Sequence, residues 1–359
     1  MSDAVIEELQ AQIRAAAAAN SPLVIRGGGT KDFLGQAIAG DVLDTTAYAG
    51  ITDYDATELV ITARAGTRLA DVESAMRGSG QMLACEAPRF GAGATLGGMV
   101  AAGLSGPRRP YGGAIRDIVL GVRMLDGTGE DLAFGGRVMK NVAGFDLPRV
   151  MAGALGTLGV LTEISLKCVP LPKAEATRVL ECPAEHAIRM TNEWSGKPLP
   201  VSATCHHAGL LAVRLSGAVP AVEAAAKKIG GTAMADGDAF WESVREQTHR
   251  YFAAAKEAGA PLWRLSVKST AAHADLGGEQ LHEWAGALRW LVAGERSDPA
   301  RLRAWAHENG GHATLFRARD KAAGAFHPLP EALHALHRRL KATFDPAGIL
   351  NRGRLYPDF

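Results

Sequence analysis

The sequence predicts an α+β fold divided into two domains. Strand-like and helix-like segments mix in the first half without the regular β–α–β alternation of a doubly wound sheet. Glycine is concentrated there, with 26 of the 42 glycines in residues 1–170, whereas all eleven histidines follow residue 185. A chain of 359 residues is also longer than most single domains. Two chemically different halves are therefore expected.

The elements of the first half follow from periodicity and from turn residues. An amphipathic helix opens the chain, because four apolar residues (Val5, Ile6, Leu9, Ile13) share one helical face before the stop signal Asn20-Ser21-Pro22. A second helix is predicted where Leu69, Val72 and Met76 recur on one face. The predicted helices are Ser2–Asn20 and Thr67–Arg77, and the predicted strands are Leu23–Arg26, Glu58–Arg64, Asp117–Leu125, Asp131–Phe134 and Gly159–Cys168.

The second half is rich in alanine and predicts helices with a few strands between them. The segment Ala174–Glu185, after two prolines, is interpreted as the crossing between the halves. The last predicted helix presents Leu333, Leu336 and Leu340 on one face. The predicted helices are Val219–Ile229, Asp238–Lys256 and Glu331–Thr343, and the predicted strands are Leu210–Leu215, Leu262–Val267, Leu288–Val292 and His312–Arg317.

Composition excludes several classes of function. Lysine and arginine total 39 against 38 acidic residues, so no net field favours nucleic acid or an anionic membrane. No apolar run approaches the roughly 20 residues that span a bilayer, and the N-terminal segment is acidic where a signal peptide is basic. We therefore expect a cytoplasmic protein that does not insert into the membrane. No bound metal is expected, because the four cysteines lack CxxC spacing (Cys85, Cys168, Cys182, Cys205).

Two glycine-rich loops carry the main functional signal. In VIRGGGTK, three glycines follow a strand and let backbone amides approach an anion closely. In GAGATLGGMVAAGLSGP, about 65 residues later, Thr95 can donate a hydroxyl and Gly97-Gly98 open a short helix. Neither loop is the GxGxxG of a dinucleotide-binding βαβ unit. Two such loops in one domain suit a pyrophosphate that is held from both sides.

Several motifs together resemble the FAD-linked oxidases of the vanillyl-alcohol oxidase type. Those in the first half and the tail are RGGGTKDFLG, ATLGGMVAAGLSGP, GGAIRDIVLG, KNVAGFDL, GTLGVLTEISLK and FDPAGILNRGRL. Within that family, WRLSVKST, EWAGALRWL and GGHATLFR in the second half are similar to the small FAD-binding subunits of bacterial glycolate oxidases.

The resemblance implies a domain plan and an activity. It implies a two-subdomain PCMH-type FAD-binding domain (residues 1–173), a smaller α+β cap, substrate or interface domain (174–340), and a C-terminal tail that returns to the flavin (341–359). The implied reaction oxidises glycolate to glyoxylate, or D-lactate to pyruvate, by hydride transfer to flavin N5.

Cofactor-binding residues are carried over from the family one by one. Arg26, Gly27, Gly28, Gly29 and Thr30 would form the first pyrophosphate loop, and Thr95, Leu96, Gly97, Gly98 and Ala101 the second. Arg116 would close the phosphate side, Gly159 and Val160 would offer backbone groups to the adenine, and Asn351 would approach the flavin ring. Arg352 stands where relatives usually have proline. Many relatives attach FAD through a histidine near the first loop, so the lack of one here implies noncovalent FAD.

Three residues are candidates for catalysis, each with a structural alternative. Arg109 could bind a substrate carboxylate bidentately, or belong to a solvated basic turn. Lys140 could stabilise negative charge at the flavin, or simply hold its loop. His312 could take the hydroxyl proton, or be an ordinary polar residue at the start of a strand.

The remaining histidines and tryptophans predict structural roles. His206 and His207 are adjacent on a predicted strand and point to opposite faces, so they are interpreted as surface or interface residues and not as metal ligands. Trp284 and Trp290 are expected to pack in the core or against a partner.

Partners are implied by the path of the electrons. The chain has no cluster motif to receive them, so an iron–sulfur subunit and a homologous larger FAD subunit are expected, with attachment to the inner membrane only through these partners. The alternative is an electron-relay or assembly subunit that binds FAD beside a catalytic homologue, because a GDGN-type substrate motif is missing. A self-sufficient sugar or lactone oxidase is the third class.

Overall fold

The computed structural model describes residues 2–136 and 146–359. Up to Leu171 its helices and strands are α1 (Ser2–Ala19), β1 (Leu23–Arg26), β2 (Asp41–Asp44), β3 (Ile51–Asp55), β4 (Val60–Arg64), α2 (Leu69–Gly78), β5 (Gln81–Met82), α3 (Leu96–Ala102), α4 (Arg109–Gly112), α5 (Ile115–Ile118), β6 (Val119–Leu125), β7 (Asp131–Gly135), α6 (Leu147–Met151), β8 (Val160–Lys167) and β9 (Val169–Pro170).

The later elements complete an α+β fold. They are β10 (Ala174–Glu181), α7 (Ala184–Ser195), β11 (Val201–His207), β12 (Leu210–Gly217), α8 (Val219–Ile229), β13 (Thr232–Ala233), α9 (Gly237–Arg245), α10 (Arg250–Glu257), β14 (Leu262–Ser266), β15 (Gly278–Glu283), β16 (Leu288–Ala293), α11 (Pro299–Glu308), β17 (His312–Arg317) and α12 (Glu331–Phe344). Helices and strands occur in both halves, which confirms the predicted fold class.

The chain divides into two compact units. The first comprises Met1–Leu104, Ala114–Leu171 and Pro328–Phe359, and the second comprises Ser105–Gly113 and Pro172–His327. The C-terminal segment therefore belongs to the first unit. The finer domain limits at 173/174 and 340/341 stay a prediction.

The first unit is built on a five-stranded antiparallel sheet with strand order β3-β4-β8-β6-β7. The buried face of α2, with Leu69, Val72 and Met76, packs with this sheet and with α3 in one apolar cluster. A second cluster joins α1 to the parallel pair β1-β2 and includes Leu350 from the tail. The glycine loop after β1 thus begins at a strand that is anchored in this cluster by Leu23.

The second unit is built on an eight-stranded sheet with strand order β13-β10-β12-β11-β15-β16-β14-β17. Each pair of neighbouring strands in this sheet runs antiparallel. Helix α11 packs on β14 and β17 through Leu302 and Ala306, which are fully buried. Trp284 and Trp290 are buried here, so the prediction that they pack in a core is confirmed.

The fold corrects two sequence predictions and shows which residues of a third element are buried. Ala174–Glu185 is not a crossing, because Ala174–Glu181 forms a full strand paired along its length with β12. The predicted helix Asp238–Lys256 is two helices, since Gln247 adopts a φ of +56° between them. On α12 the residues Leu333 and Leu336 are exposed, and Lys341 and Phe344 are the buried ones.

Candidate functional site: a glycine-lined cleft and a cationic cluster

The cleft of the first unit lies where the two glycine loops meet. It has an open volume of about 950 Å³, and its walls come from the loop after β1, the start of α3, residues 154–161 and the tail. A Cβ atom added to Gly28 would lie 1.5 Å from the backbone oxygen of Gly93, and one added to Gly27 would lie 2.4 Å from Oγ1 of Thr95. The loops therefore touch backbone to backbone, which requires glycine.

The second loop is organised by Thr95. Its side chain caps α3 by accepting a hydrogen bond of 3.2 Å from the amide of Gly98, and its hydroxyl hydrogen is left to donate to another group. A Cβ added to Gly97 would lie 2.8 Å from Cβ of Ala65, so this glycine brings α3 close to the neighbouring loop. The short helix is thereby fixed with its first amides at the cleft.

Positive charge reaches the cleft from residues that the sequence analysis missed. Lys31 lines it, with Nζ donating to the backbone oxygen of Arg89 at 3.1 Å. Arg354 also lines it and donates to the backbone oxygen of Asp32 at 2.8 Å, and burial lowers the pKa of its guanidinium. Arg26, by contrast, directs its guanidinium to Asp32 at 2.7 Å. The tail segment NRGRL contains Arg354, but the sequence analysis predicted a role only for its first residue, Asn351.

Asn351 connects the tail to both walls of the cleft. Its Oδ1 accepts from the amide of Ile25 at 2.8 Å, and its Nδ2 donates to the backbone oxygen of Leu155 at 2.5 Å. The backbone continues the same contact, because the amide of Asn351 donates to the oxygen of Leu23. Its side-chain amide is therefore used in positioning the strand and the loop, while the residue still lines the cleft.

A buried ion pair, Lys341 with Asp345, holds the tail segment that contains Asn351 in place. Nζ of Lys341 donates to Oδ2 of Asp345 at 2.6 Å and to the backbone oxygens of Thr157 and Leu350 at 2.8 and 2.7 Å. The carboxylate of Asp345 accepts the amides of Ile349 and Leu350. Burial lowers the pKa of Lys341, and the adjacent Asp345 opposes that shift. The sequence analysis did not predict this pair, because its burial depends on the contact with the backbone oxygen of Thr157, 184 residues away.

The predicted cofactor residues divide into two groups. Eleven of them line the cleft together: Arg26, Gly27, Gly28, Gly29, Thr30, Thr95, Gly97, Gly98, Ala101, Gly159 and Asn351. Leu96 and Val160 instead are buried in apolar clusters, and Arg116 is exposed on α5. These three are not among the cleft-lining residues that the structure describes, and their predicted roles stay predictions.

A second cluster, in the second unit, contains two of the three catalytic candidates. The guanidinium of Arg109, on α4, lies 4.5 Å from the ring centroid of Trp284, and that of Arg264, on β14, lies 5.2 Å from it. Ser266 of β14 pairs with His312 of β17, which places His312 diagonal to Arg264 on the same face of the sheet. Arg109 lies on a short helix, not in a turn.

Electrostatics keep the imidazole of His312 neutral. Its pKa is lowered to about 4 by burial and then by the charges of Arg264, His327 and Arg109. His312 as a residue is exposed, and Arg264, His327 and Arg109 are the charged groups that act on its imidazole. The pKa of Arg264 is itself lowered to about 10 by burial and by Arg109, while Glu283 acts in the opposite direction. Lys140 lies outside the described residues.

The prediction for the adjacent histidines is half right. His206 and His207 do face opposite ways, because His206 bonds the backbone oxygen of Cys182 and His207 bonds Glu279. Both are buried, however, so the interpretation as surface or interface residues is wrong. In the ranges 2–136 and 146–359, no group of three or more His, Cys, Asp or Glu side chains is arranged to hold a metal ion.

Fold and cleft together define a class: an α+β protein with a two-loop cradle for a diphosphate-containing cofactor. The chain matches the family "FAD binding domain" over residues 4–135 and the family "FAD linked oxidases, C-terminal domain" over residues 319–355. Glycolate oxidase subunit GlcE of Escherichia coli (strain K12) is 46% identical over 98% of this chain and 97% of its own length. The chain therefore belongs to the FAD-linked oxidases and is a flavoprotein oxidoreductase.

More distant relatives agree with this assignment. Glycolate oxidase subunit GlcD of Bacillus subtilis (strain 168) is 32% identical over 44% of this chain and 33% of its own length. Among solved structures, alkyldihydroxyacetonephosphate synthase has a TM-score of 0.64 at 16% identity, covering 96% of this chain and 74% of that one. At that identity the likeness supports the fold alone. None of the helices seen in the described ranges has both the length and the apolar character needed to cross a bilayer.

Proposed function

We propose that this chain is the FAD-binding subunit of a complex that oxidises glycolate to glyoxylate, with D-lactate as the alternative substrate. The observation that carries the proposal is the contact of the two glycine loops, Gly28 against Gly93, at a cleft lined by Lys31 and Arg354. The near full-length similarity to a glycolate oxidase subunit supports the choice of substrate.

FAD is held without a covalent bond. Among the cleft-lining residues that the structure describes, none is a histidine, cysteine or tyrosine able to form such a bond. Backbone amides of residues 27–30 and 97–98 bind the diphosphate, and Lys31 and Arg354 offset its charge. When bound, FAD supplies the hydride acceptor.

Arg109 and His312 bind and activate the substrate in this proposal. Arg109 holds the carboxylate, and neutral His312 accepts the hydroxyl proton. A bound carboxylate offsets the positive charges of Arg109 and Arg264, so the pKa of His312 rises from about 4 toward its ordinary value. The base is thus strengthened when the substrate is present. Lys140, outside the described residues, stays a prediction for stabilising charge at the flavin.

Electrons leave through partner subunits. The four cysteines are free thiols, three of them buried, and they are well separated in sequence. An iron–sulfur subunit is proposed as the acceptor, beside a homologous larger FAD subunit. The cytoplasmic location, with membrane contact only through these partners, stays a prediction.

The second candidate is a relay or assembly subunit that binds FAD but oxidises nothing itself. The missing GDGN-type motif favours it. Anaerobic addition of glycolate to the purified FAD-loaded chain separates the two. Loss of the flavin absorbance near about 450 nm is expected if the chain is catalytic. Unchanged absorbance, with bleaching restored only by a larger flavin subunit, would assign the chain to the relay role.

A further inference from the structure

The backbone at Trp284 and Ala285 has positive φ angles, which are uncommon for residues other than glycine. Trp284 and Ala285 both adopt φ near +55°, a conformation that costs a residue with a side chain about 1–3 kcal/mol. The turn is fixed by three hydrogen bonds: indole Nε1 of Trp284 to the oxygen of Gly106 (3.0 Å), the amide of Ala285 to Oγ1 of Thr204 (2.8 Å), and Nδ2 of Asn192 to the oxygen of Ala285 (3.0 Å). The surrounding structure therefore maintains a strained turn, as is common at ligand sites.

This turn places the indole between two arginines that come from different elements. The bond from Trp284 to Gly106 ties the segment that precedes α4 to the sheet, and so fixes Arg109 relative to Arg264. The indole is buried, whereas both arginines are only partly buried. Stacking on the indole uses the flat face of the Arg264 guanidinium and leaves its hydrogen-bonding edge directed at groups in its own plane.

In two other arginine–tryptophan pairs of this unit, the guanidinium also donates hydrogen bonds to backbone oxygens. Arg289 stacks on Trp305 and is fully buried, with its guanidinium donating to the backbone oxygens of Gly286, Ala271 and Ala272. Arg303 stacks on Trp263 and donates to the oxygens of Gly324 and Phe326. Within residues 2–136 and 146–359, the guanidinium of Arg264 makes no such hydrogen bond, and its stacking on Trp284 positions donors that the fold does not use.

The charges that act on Arg264 beside the indole are those of Arg109 and Glu283, so these three described groups together carry one positive charge. Arg109 and Arg264 contribute two, Glu283 removes one, and His312 is neutral above about pH 4. A monoanion neutralises this cluster, whereas a dianion leaves an excess negative charge in a partly desolvated site. Because Coulomb energies grow as water is excluded, this difference is large enough to affect selectivity.

We infer that Arg109, Arg264 and Trp284 form a binding site for the carboxylate of a monocarboxylic 2-hydroxy acid, in which Arg264 is the second anion-binding residue. The inference deepens the proposed function and rests on it for the class of substrate. Arg264 sets specificity: paired with Arg109, it favours short monocarboxylates over dicarboxylates such as 2-hydroxyglutarate.

Binding of unreactive probes to the FAD-loaded full chain tests the inference. The probes are oxamate as a monoanion, oxalate as a dianion and glycolamide as a neutral compound, titrated by calorimetry. We expect the wild type to bind oxamate more tightly than oxalate, and glycolamide weakly. Arg264→Gln should raise the Kd for oxamate roughly ten- to hundredfold, the range for a lost charge-assisted hydrogen bond. The matched control Arg303→Gln should leave that Kd unchanged.

A conservative variant and a check on folding distinguish the loss of the binding site from the loss of the fold. Arg264→Lys retains the charge but loses the planar fork, so its Kd should lie between those of wild type and Arg264→Gln. A wild-type circular-dichroism spectrum and melting temperature show that each variant is folded. Wild-type affinity of Arg264→Gln for oxamate, or tighter binding of oxalate than of oxamate, overturns the inference. If glycolate fails to bleach the flavin while oxamate binding still depends on Arg264, the site stands and the catalytic proposal fails.

Discussion

The ammonium of Lys341 lies 2.6 Å from a carboxylate oxygen of Asp345, one helical turn further on, and both side chains are buried. The pair holds the two segments that form one end of the flavin cleft. Lys341 bonds the oxygen of Thr157, and Asp345 bonds the amides that precede Asn351. A buried pair of this kind is costly to break on one side only, because the remaining charge stays in the protein interior.

Asp345→Ala is therefore expected to lower the free energy of unfolding by about 3–5 kcal/mol. It should also weaken FAD binding, since Ile349 and Leu350 lose their carboxylate acceptor. Urea unfolding and FAD titration measure the two effects. Arg339→Ala, at an exposed position on the helix that contains Lys341, is the control, with an expected change within about 0.5 kcal/mol. A double variant, Lys341→Met with Asp345→Leu, should be less destabilised than Asp345→Ala; equal loss would show that the uncompensated charge is not the cause.

Gly28 and Gly78 form a second matched comparison. Gly28→Ala places a Cβ 1.5 Å from the oxygen of Gly93, so the loops must separate and the Kd for FAD should rise at least about tenfold. Gly78→Ala meets nothing within 4 Å and should leave the Kd unchanged. Gly98→Ala, with only Thr95 Oγ1 at 3.1 Å, should lie between them. Equal affinities in all three variants would remove the loop contact from the cofactor site.

Acid denaturation tests the mode of flavin attachment. Because no cleft-lining side chain in the described ranges is a histidine, cysteine or tyrosine, the flavin is expected in the supernatant after precipitation with acid. Absorbance of the supernatant against the pellet gives the result. Flavin that stays with the precipitated chain, and survives proteolysis as a flavopeptide, would contradict noncovalent binding.

Stability should fall as the pH drops below the ordinary histidine range. The pKa of His282 is lowered from 6.5 to about 2 by burial, and then by Arg289 and its histidine neighbours, so the unfolded state binds one more proton than the folded state between those values. The free energy of unfolding therefore rises with pH in this window, by up to about 1.4 kcal/mol per pH unit for this group. His282→Gln should reduce the slope between pH 6 and about 4.5. An unchanged slope would assign the dependence to other groups.

Partnership is tested by co-expression. The tagged chain should elute from size exclusion together with a cysteine-rich iron–sulfur subunit and a larger flavin subunit, through contacts made largely by the second half of the chain. The lone chain should lack electron transfer to an external acceptor. Elution of the chain alone in the presence of both partners, with full activity in that fraction, would replace the complex with a self-sufficient oxidase.

Local signals were readable from the sequence, and non-local ones were not. The helix α8 has its predicted bounds, and both glycine loops line the cleft as predicted, because turn residues and apolar periodicity act over a few positions. Lys341 was missed because its partners lie up to 184 residues away. The break between α9 and α10 was missed because Gln247 adopts positive φ without the glycine that usually marks it. Arg264 was missed because, in the sequence, it is one charged residue within a predicted strand. Its position near Arg109 becomes visible only in the structure, where both guanidiniums stack on Trp284.

The parallel bridge between Leu23 and Leu350 has a consequence for how the protein acquires its cofactor in the cell. Asn351, which joins the wall at Ile25 to Leu155, is translated more than three hundred residues after Ile25. At a translation rate of about 5–20 residues per second, the early loop waits for many seconds without its partner. We therefore expect tight FAD binding only after Asn351 has been synthesised.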